Sequence, residues 1–190
     1  MNSEFLFTAY RTIRTGDFLL RPLFYSDRDD LLEIYSNYES VRYQSEYVMS
    51  SLDQIDEMLA VLEKGAQNHY FLRWGIEYLP ISKVIGVFSL HHIDYRNKHA
   101  QFGYIVSEPY WHRGIASTLL NDMTNRLLGA DRFIRIELLI HPENIASIKT
   151  AEKCGYEREG HLRKVAYNVR TGAFDDRLIY SKVFDNQEDY

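Results

Sequence analysis

Apolar and polar residues alternate along residues 70–78. Tyr70, Leu72, Trp74, Ile76 and Tyr78 fall on one side, and Phe71, Arg73, Gly75 and Glu77 on the other. A period of two predicts a strand, which Pro80 breaks. Residues 84–90 predict a second strand, residues 91–97 a turn, and residues 100–107 a third strand carrying Ala100, Phe102, Tyr104 and Val106 on one face. Earlier, Phe18-Leu-Leu-Arg21 reads as a short strand stopped by Pro22. Helical spacing takes over in three places. Leu31, Leu32, Ile34 and Tyr35 follow a Ser26-Asp27 cap, and Ile55, Met58, Leu59 and Leu62 follow Ser50-Ser51. Ile115, Leu119, Met123 and Leu127 share one face of a helix that Gly129 would end as a left-handed cap. Residues 134–141 alternate again, and Asn144 opens a short helix reaching Gly155. Two closing strands, 162–169 and 174–184, turn at Thr171-Gly172, and residues 185–190 read as a solvated tail.

Three strands separated by short turns predict an antiparallel meander, and the strand–helix–strand over 100–141 a right-handed parallel crossover. The pattern therefore predicts an α+β fold. Its mixed central sheet would have about seven strands, flanked by about four helices. One domain over 1–190, with a core at about 18–184, suits a chain of this length. A composition of 45% hydrophobic and 26% charged residues is that of a soluble globular protein. No apolar run approaches the roughly 20 residues that cross a bilayer, so no membrane partner is expected. The single cysteine, Cys154, excludes an internal disulfide, fits a cytoplasmic setting, and is expected to be buried and inert. A net charge of −5 argues against nonspecific nucleic-acid binding.

The stretch Tyr110-Trp-His-Arg-Gly-Ile-Ala-Ser117 changes this bland picture. It places a glycine and small residues between a strand and an amphipathic helix. There the first N–H groups of the helix are exposed and favour an anion such as a pyrophosphate. No Gly-x-x-x-x-Gly-Lys-(Ser/Thr) sequence is present, which argues against a nucleotide triphosphatase.

Four features in order resemble the GNAT (Gcn5-related) N-acetyltransferase superfamily, and within it the RimJ/RimL-type branch. They are Phe102-Gly-Tyr-Ile-Val106 running into Pro109–Ala116, the strand over 134–141, Asn144-x-x-Ser147 with Glu152-Lys-Cys-Gly-Tyr156, and Glu159-Gly160 with Gly172, Asp176 and Tyr180-Ser181. The turn pattern of the family, (Arg/Gln)-x-x-Gly-x-(Gly/Ala), falls on Trp111, Gly114 and Ala116. The resemblance implies acetyl-CoA as cosubstrate, with no metal, held where the strands over 100–107 and 134–141 splay apart. Arg113, Gly114, Ile115, Ala116 and Ser117 would hold the pyrophosphate. Ile105 and Val106 would pair with the pantetheine like an added strand, and Asn144 would bond its arm.

The implied reaction is direct attack of a primary amine on the thioester. It needs a neutral amine, an oxyanion donor and an acid for the leaving thiolate. The N–H near Val106 is the candidate donor and Ser147, one turn beyond Asn144, the candidate acid and a further cofactor contact. Where many relatives carry a tyrosine acid this chain has Ala151, and where they carry a glutamate base it has Gln101. His91, His92 and Tyr167 are alternative bases, or the amine loses its proton to water. The expected acceptor is a protein or peptide N-terminal amine, with an aminoglycoside or polyamine as the alternative, on a monomer or homodimer. A silent acyl-CoA-binding module is the reading outside enzymes. The acidic stretch over 26–39 would attract a cationic acceptor of either kind.

Overall fold

The computed structural model describes residues 6–8, 11–44, 48–129 and 132–184. In chain order the strands and helices are β1 (Ile13–Thr15), β2 (Phe18–Pro22), α1 (Arg28–Ser36), α2 (Tyr38–Val41), α3 (Leu52–Gln67) and β3 (Leu72–Tyr78). They continue with β4 (Lys83–Asp94), β5 (His99–Val106), α4 (Ile115–Leu127), β6 (Arg135–Ile140), α5 (Ile145–Lys153), β7 (Glu157–Asn168) and β8 (Ala173–Val183). Eight strands form one mixed sheet in the order β1-β2-β3-β4-β5-β6-β8-β7. Only β5 and β6 run parallel, as the α4 crossover between them requires.

The sheet is covered on both faces, which explains the apolar character of its centre. On one face Trp74, Phe88 and Phe102 pack with Leu119 and Met123 of α4 and Ala151 of α5. On the other, Val84 and Val87 pack with Leu31 and Ile34 of α1 and Ile55 of α3. Specific polar contacts fix the helices on those faces. Asp30 of α1 accepts the Val84 N–H at 2.9 Å. Ser51 and Gln54 cap α3 reciprocally, Ser51 Oγ accepting from the Gln54 N–H at 3.4 Å and Gln54 Oε1 from the Ser51 N–H at 3.3 Å. The Tyr156 hydroxyl meets Thr124 Oγ1 of α4 at 2.7 Å. Cys154, 6% exposed at the end of α5, donates its thiol to the Ser117 carbonyl at 3.4 Å, and burial pushes its pKa up, as expected of an inert thiol.

The α+β architecture is the expected one, with differences of detail. The eighth strand is β1, a three-residue hairpin partner of β2 across Gly16, whose short apolar content gives no periodic signal. The predicted helix carrying Leu31 to Tyr35 forms as α1, and a short helix not expected from the sequence follows it, because Asn37 is extended and its side chain accepts the Ser40 N–H to start α2. The helix over 115–127 ends on an extended Leu128, and Gly129 donates to the Phe133 carbonyl without adopting a left-handed conformation. His91 to Asp94 belong to β4, not to a turn. An irregularity between His91 and Asp94, with His92 at φ 49°, bends the strand instead of ending it. Residues 185–190, read as a tail, lie outside the described residues.

Phe88 is fully buried and meets Trp74, Phe102 and Tyr104 ring to ring. Phe88→Ala is expected to cost about 3–5 kcal/mol of stability in urea unfolding. A loss under about 1 kcal/mol would place the core elsewhere.

Candidate active site

The site begins where two strands part. β5 and β6 pair from His99↔Arg135 to Phe102↔Leu138 and no further. Beyond that point β5 stays on β4 as far as Gly86↔Val106, while β6 stays on β8 through Ile140↔Leu178. The Ser107 N–H donates to the Ile85 carbonyl at 2.8 Å. Alternation along an antiparallel ladder then turns the backbone groups of Ser107, Ile105 and Gly103 towards β4, and those of Val106 and Tyr104 into the opening. Of the pair expected from the sequence, Val106 therefore presents its N–H to the opening, whereas Ile105 lines it by its side chain. Tyr104 is the second residue with free backbone groups.

The chain leaving β5 is tied down at once. Trp111 Nε1 donates to the Val106 carbonyl at 2.6 Å, and its ring packs on the core. This places the start of α4 at the open end of β5. Gly114 is the N-cap of α4 at φ 74°, and no side chain caps it, so the first N–H groups of the helix, through Ile115, Ala116 and Ser117, face outward. A Cβ at Gly114 would meet only Ser117 Oγ at 3.8 Å, so the left-handed backbone is what asks for glycine. Ser117 Oγ donates back to the Gly114 carbonyl at 2.9 Å. Arg113 is held to the turn, donating to the Pro109 carbonyl at 3.0 Å beneath the Tyr110 ring.

Across the opening, Asn144 caps α5 by accepting the Ser147 N–H at 3.1 Å through Oδ1. Its side-chain NH₂ group remains available to the cleft that both residues line. The Tyr104 hydroxyl, which sequence patterning read only as an inward-facing strand residue, is buried near the Ser147 and Thr150 hydroxyls without making a hydrogen bond. Burial pushes its pKa up, and the two hydroxyls pull it partly back.

Tyr104, Ile105, Asn144 and Ser147 line one cleft of about 430 Å³ that extends to residues on the other face of the sheet, whereas Val106 and the Gly114 turn lie outside its lining. On that face its floor is Arg73, Ser89, His91, Gln101 and Gly103, with Tyr35, Tyr43 and Gln44 bordering it above. A side chain at Gly103 would press on Ser89 Oγ at 3.0 Å and His91 Nε2 at 3.2 Å, so glycine keeps this floor open. The border is anchored from both sides. The Tyr43 hydroxyl donates to the Glu143 carbonyl at 2.9 Å, and Arg170 donates to the carbonyls of Gln44, at 2.9 Å, and Arg42. Tyr167 does not line the cleft; it is exposed against Phe174. Among the described residues no cluster of His, Cys, Asp or Glu has the arrangement of a metal site.

Residues 17–157 match the acetyltransferase (GNAT) domain family. The chain belongs to that family. It is 28% identical over 171 residues to the uncharacterized N-acetyltransferase YoaA of Bacillus subtilis, covering 90% of this chain and 96% of that protein. It is also 28% identical over 105 residues to the ribosomal-protein-serine acetyltransferase of Escherichia coli, 55% of this chain and 58% of that one, in keeping with the RimJ/RimL-type resemblance. The solved structure of the microcin C7 self-immunity acetyltransferase MccE, in complex with acetyl-CoA and AMP, superposes with a TM-score of 0.80 at 23% identity, covering 89% of this chain and 93% of that one, and so shares the fold.

In this GNAT chain the base position of many relatives is Gln101. Its Nε2 donates to Glu137 Oε2 at 2.9 Å, and Arg135 Nε holds the other carboxylate oxygen at 2.7 Å. Glu137 is 8% exposed and has both oxygens engaged, so it does not stand in as a free base. His91 sits closer to the floor, with Nδ1 2.7 Å from His92 Nδ1. Burial, then the charges of His92 and Arg73, push its pKa down to about 4. The unfolded value is higher, near 6.5. The unfolded chain therefore takes up this proton first as pH falls, and the native state loses stability between about pH 6.5 and pH 4. His91→Gln is expected to flatten the urea midpoint over that range relative to wild type; equal pH slopes would show His91 ionising freely in the native protein.

Proposed function

We propose that this GNAT protein transfers the acetyl group of acetyl-CoA to a primary amine by direct attack, and that the amine is an α-amine such as a peptide N-terminus. The parting of β5 and β6 carries the reading. It leaves the Val106 N–H and the Tyr104 backbone unpaired, on a line between the bare N-terminus of α4 and the Asn144 cap of α5. Acetyl-CoA fits this line. The N–H groups of Gly114 to Ser117, with Arg113 beside them, suit its pyrophosphate. Backbone groups of Val106 and Tyr104, with the Asn144 amide, suit the two amides of its arm. Its thioester then lies by the Val106 N–H, which stabilises the oxyanion as the amine adds. The nitrogen gives its extra proton to water, and the carbon–sulfur bond breaks as the tetrahedral centre collapses to the amide. The thiolate takes a proton from Ser147, whose neighbour, the buried Tyr104 hydroxyl, suits a relay of that proton.

The acceptor follows from the weakness of the bases. His91, at about 4, lies roughly four units below an α-amine and six below a lysine amine, so neither is readily stripped by it. Water must take the proton before attack. At pH 7.4 about a quarter of an α-amine is already neutral, against about one in a thousand for a lysine or polyamine amine. The E. coli relative named for ribosomal-protein serine is consistent with an N-terminal acceptor.

Release of CoA thiol from acetyl-CoA by a serine-starting peptide tests this. The kcat/KM value is expected to rise tenfold per pH unit below about 8, tracking the amine. Tight CoA binding with no thiol release on any amine would instead mark a silent acyl-CoA-binding module. Gly114→Val is expected to weaken CoA binding at least tenfold by calorimetry, and unchanged affinity would sink the pyrophosphate assignment. Ser147→Ala is expected to lower kcat at least tenfold with little change in CoA affinity; an unaltered kcat removes its acid role.

A further inference from the structure

The acceptor half of the cleft holds two buried polar atoms without partners, and they have opposite needs. Gln101 is the first. Its Nε2 is committed to the Glu137 carboxylate, which fixes the orientation of the amide because only the NH₂ end can donate. Its Oε1 is buried and accepts nothing. Arg73 is the second. Its Nε–H is buried and donates to nothing, and among the described residues no carboxylate pairs with its guanidinium. Its contact is with the Phe71 ring at 5.9 Å. Both residues line the same cleft. They also share one sheet face. Arg73↔Ser89↔Gly103 form one cross-strand row and His91↔Gln101↔Glu137 the next, so the two Cα atoms lie about 12 Å apart.

Unsatisfied buried groups are costly and call for an explanation. A buried acceptor asks for an N–H, and a half-buried guanidinium whose Nε–H is buried and unpartnered asks for an acceptor, best an anion. The charge balance of the lining agrees. Arg73 and Arg177 border the cleft, Arg177 with Asp175 at 3.7 Å, the histidine His91 is kept neutral by burial, and among the described residues no Asp or Glu lines it. The acidic stretch over 26–39, expected to draw a cationic acceptor, is largely engaged elsewhere. Asp27 takes two bonds from Arg21 at 2.8 and 2.9 Å, Glu33 pairs with Lys83 at 2.6 Å, and Glu39 pairs with Arg42 at 2.7 Å.

We infer that the acceptor is an amine that also carries an anionic group, the anion pairing with Arg73 and a donor other than the reacting nitrogen, a peptide N–H or a hydroxyl, bonding Gln101 Oε1, since the reacting nitrogen must reach the thioester further along β5. This deepens the proposed acetyl transfer and rests on it. The anion is a carboxylate, supplied by the amine's own α-carboxylate in a free amino acid or by an acidic residue or C-terminus in a short peptide. Polycations are disfavoured, since they would bring charge towards Arg73 with no carboxylate to meet it.

The test measures thiol release with matched acceptors: L-serine, Ser-Asp-Ala-amide, Ser-Ala-Ala with a free C-terminus, neutral Ser-Ala-Ala-amide, and spermidine. At least one carboxylate-bearing acceptor is expected to exceed both Ser-Ala-Ala-amide and spermidine tenfold or more in kcat/KM. Which of them does so separates a free amino acid from a peptide. In Arg73→Gln the preference for anionic over neutral acceptors is expected to fall at least tenfold, through KM, and Arg73→Lys is expected to restore part of it. Spermidine as the best acceptor, or an unchanged preference in Arg73→Gln, overturns the inference while leaving acetyl transfer standing. Silence with every acceptor defeats acetyl transfer instead. Calorimetry of N-acetyl-Ser-Asp-Ala-amide on the CoA-loaded protein then decides the anion site alone. Weaker binding in Arg73→Gln supports it, and equal binding, or none to wild type, overturns it.

Discussion

The parting of β5 from β6 after Phe102 and Leu138 is the constraint from which the rest of the site follows. A sheet interior normally leaves no backbone group unpaired, because each buried orphan is costly. Here two strands each keep one neighbour, β4 for β5 and β8 for β6, and give up each other. The opening then exposes a short edge of N–H and C=O groups inside the molecule rather than at its rim. An extended chain of amides can complete such an edge as an added strand does. The Trp111 indole satisfies the Val106 carbonyl and so leaves the Val106 N–H as the free donor at the end of the gap.

The ionic contacts beside this gap serve geometry. Arg135 joins Glu137 to Glu159, and Ser181 donates to Glu159 at 2.6 Å. The hydrogen bonds of Arg135, then of Ser181, hold the Glu159 carboxyl down at about 2. This chain of contacts fixes the β6 carboxylate that in turn orients Gln101. On the same face, towards the β1 edge of the sheet, Arg21 bridges Asp27 and Glu77 and so docks the start of α1 onto β2 and β3. Acidic side chains that would fill or flood the cleft with negative charge are instead neutralised within the scaffold. What lines the floor of the cleft is an amide, imidazoles and a guanidinium.

Much of the fold was legible because its elements are strongly periodic. Trp74 and Ile76 on β3, and Phe102, Tyr104 and Val106 on β5, alternate without interruption, and both strands form. Leu119, Met123 and Leu127 recur at helical spacing, and all three are buried under α4. Elements without such a signal were misjudged. β1 is too short to show a period. His91 and His92 are polar and look like a turn, yet pairing to β5 keeps them in β4. The turn at Gly114 and the cap at Asn144 were readable because both are local, a left-handed backbone and a helix cap. The floor of the cleft was not, because it is made by cross-strand rows that join β3, β4, β5 and β6.

The sequence by itself determined the α+β layering, the strand-to-helix turn at Gly114 and the side chains that stand at Gln101 and Ala151. These depend on residue type and on neighbours a few positions apart. Only the tertiary structure decided which backbone groups stay unpaired at Tyr104 and Val106. It alone decided that Glu137 pins the Gln101 amide, that the Tyr104 hydroxyl is buried near Ser147, and that Arg73 stands in the cleft without a carboxylate among the described residues. Register and splay between strands distant in sequence create these relations, and no local pattern encodes them.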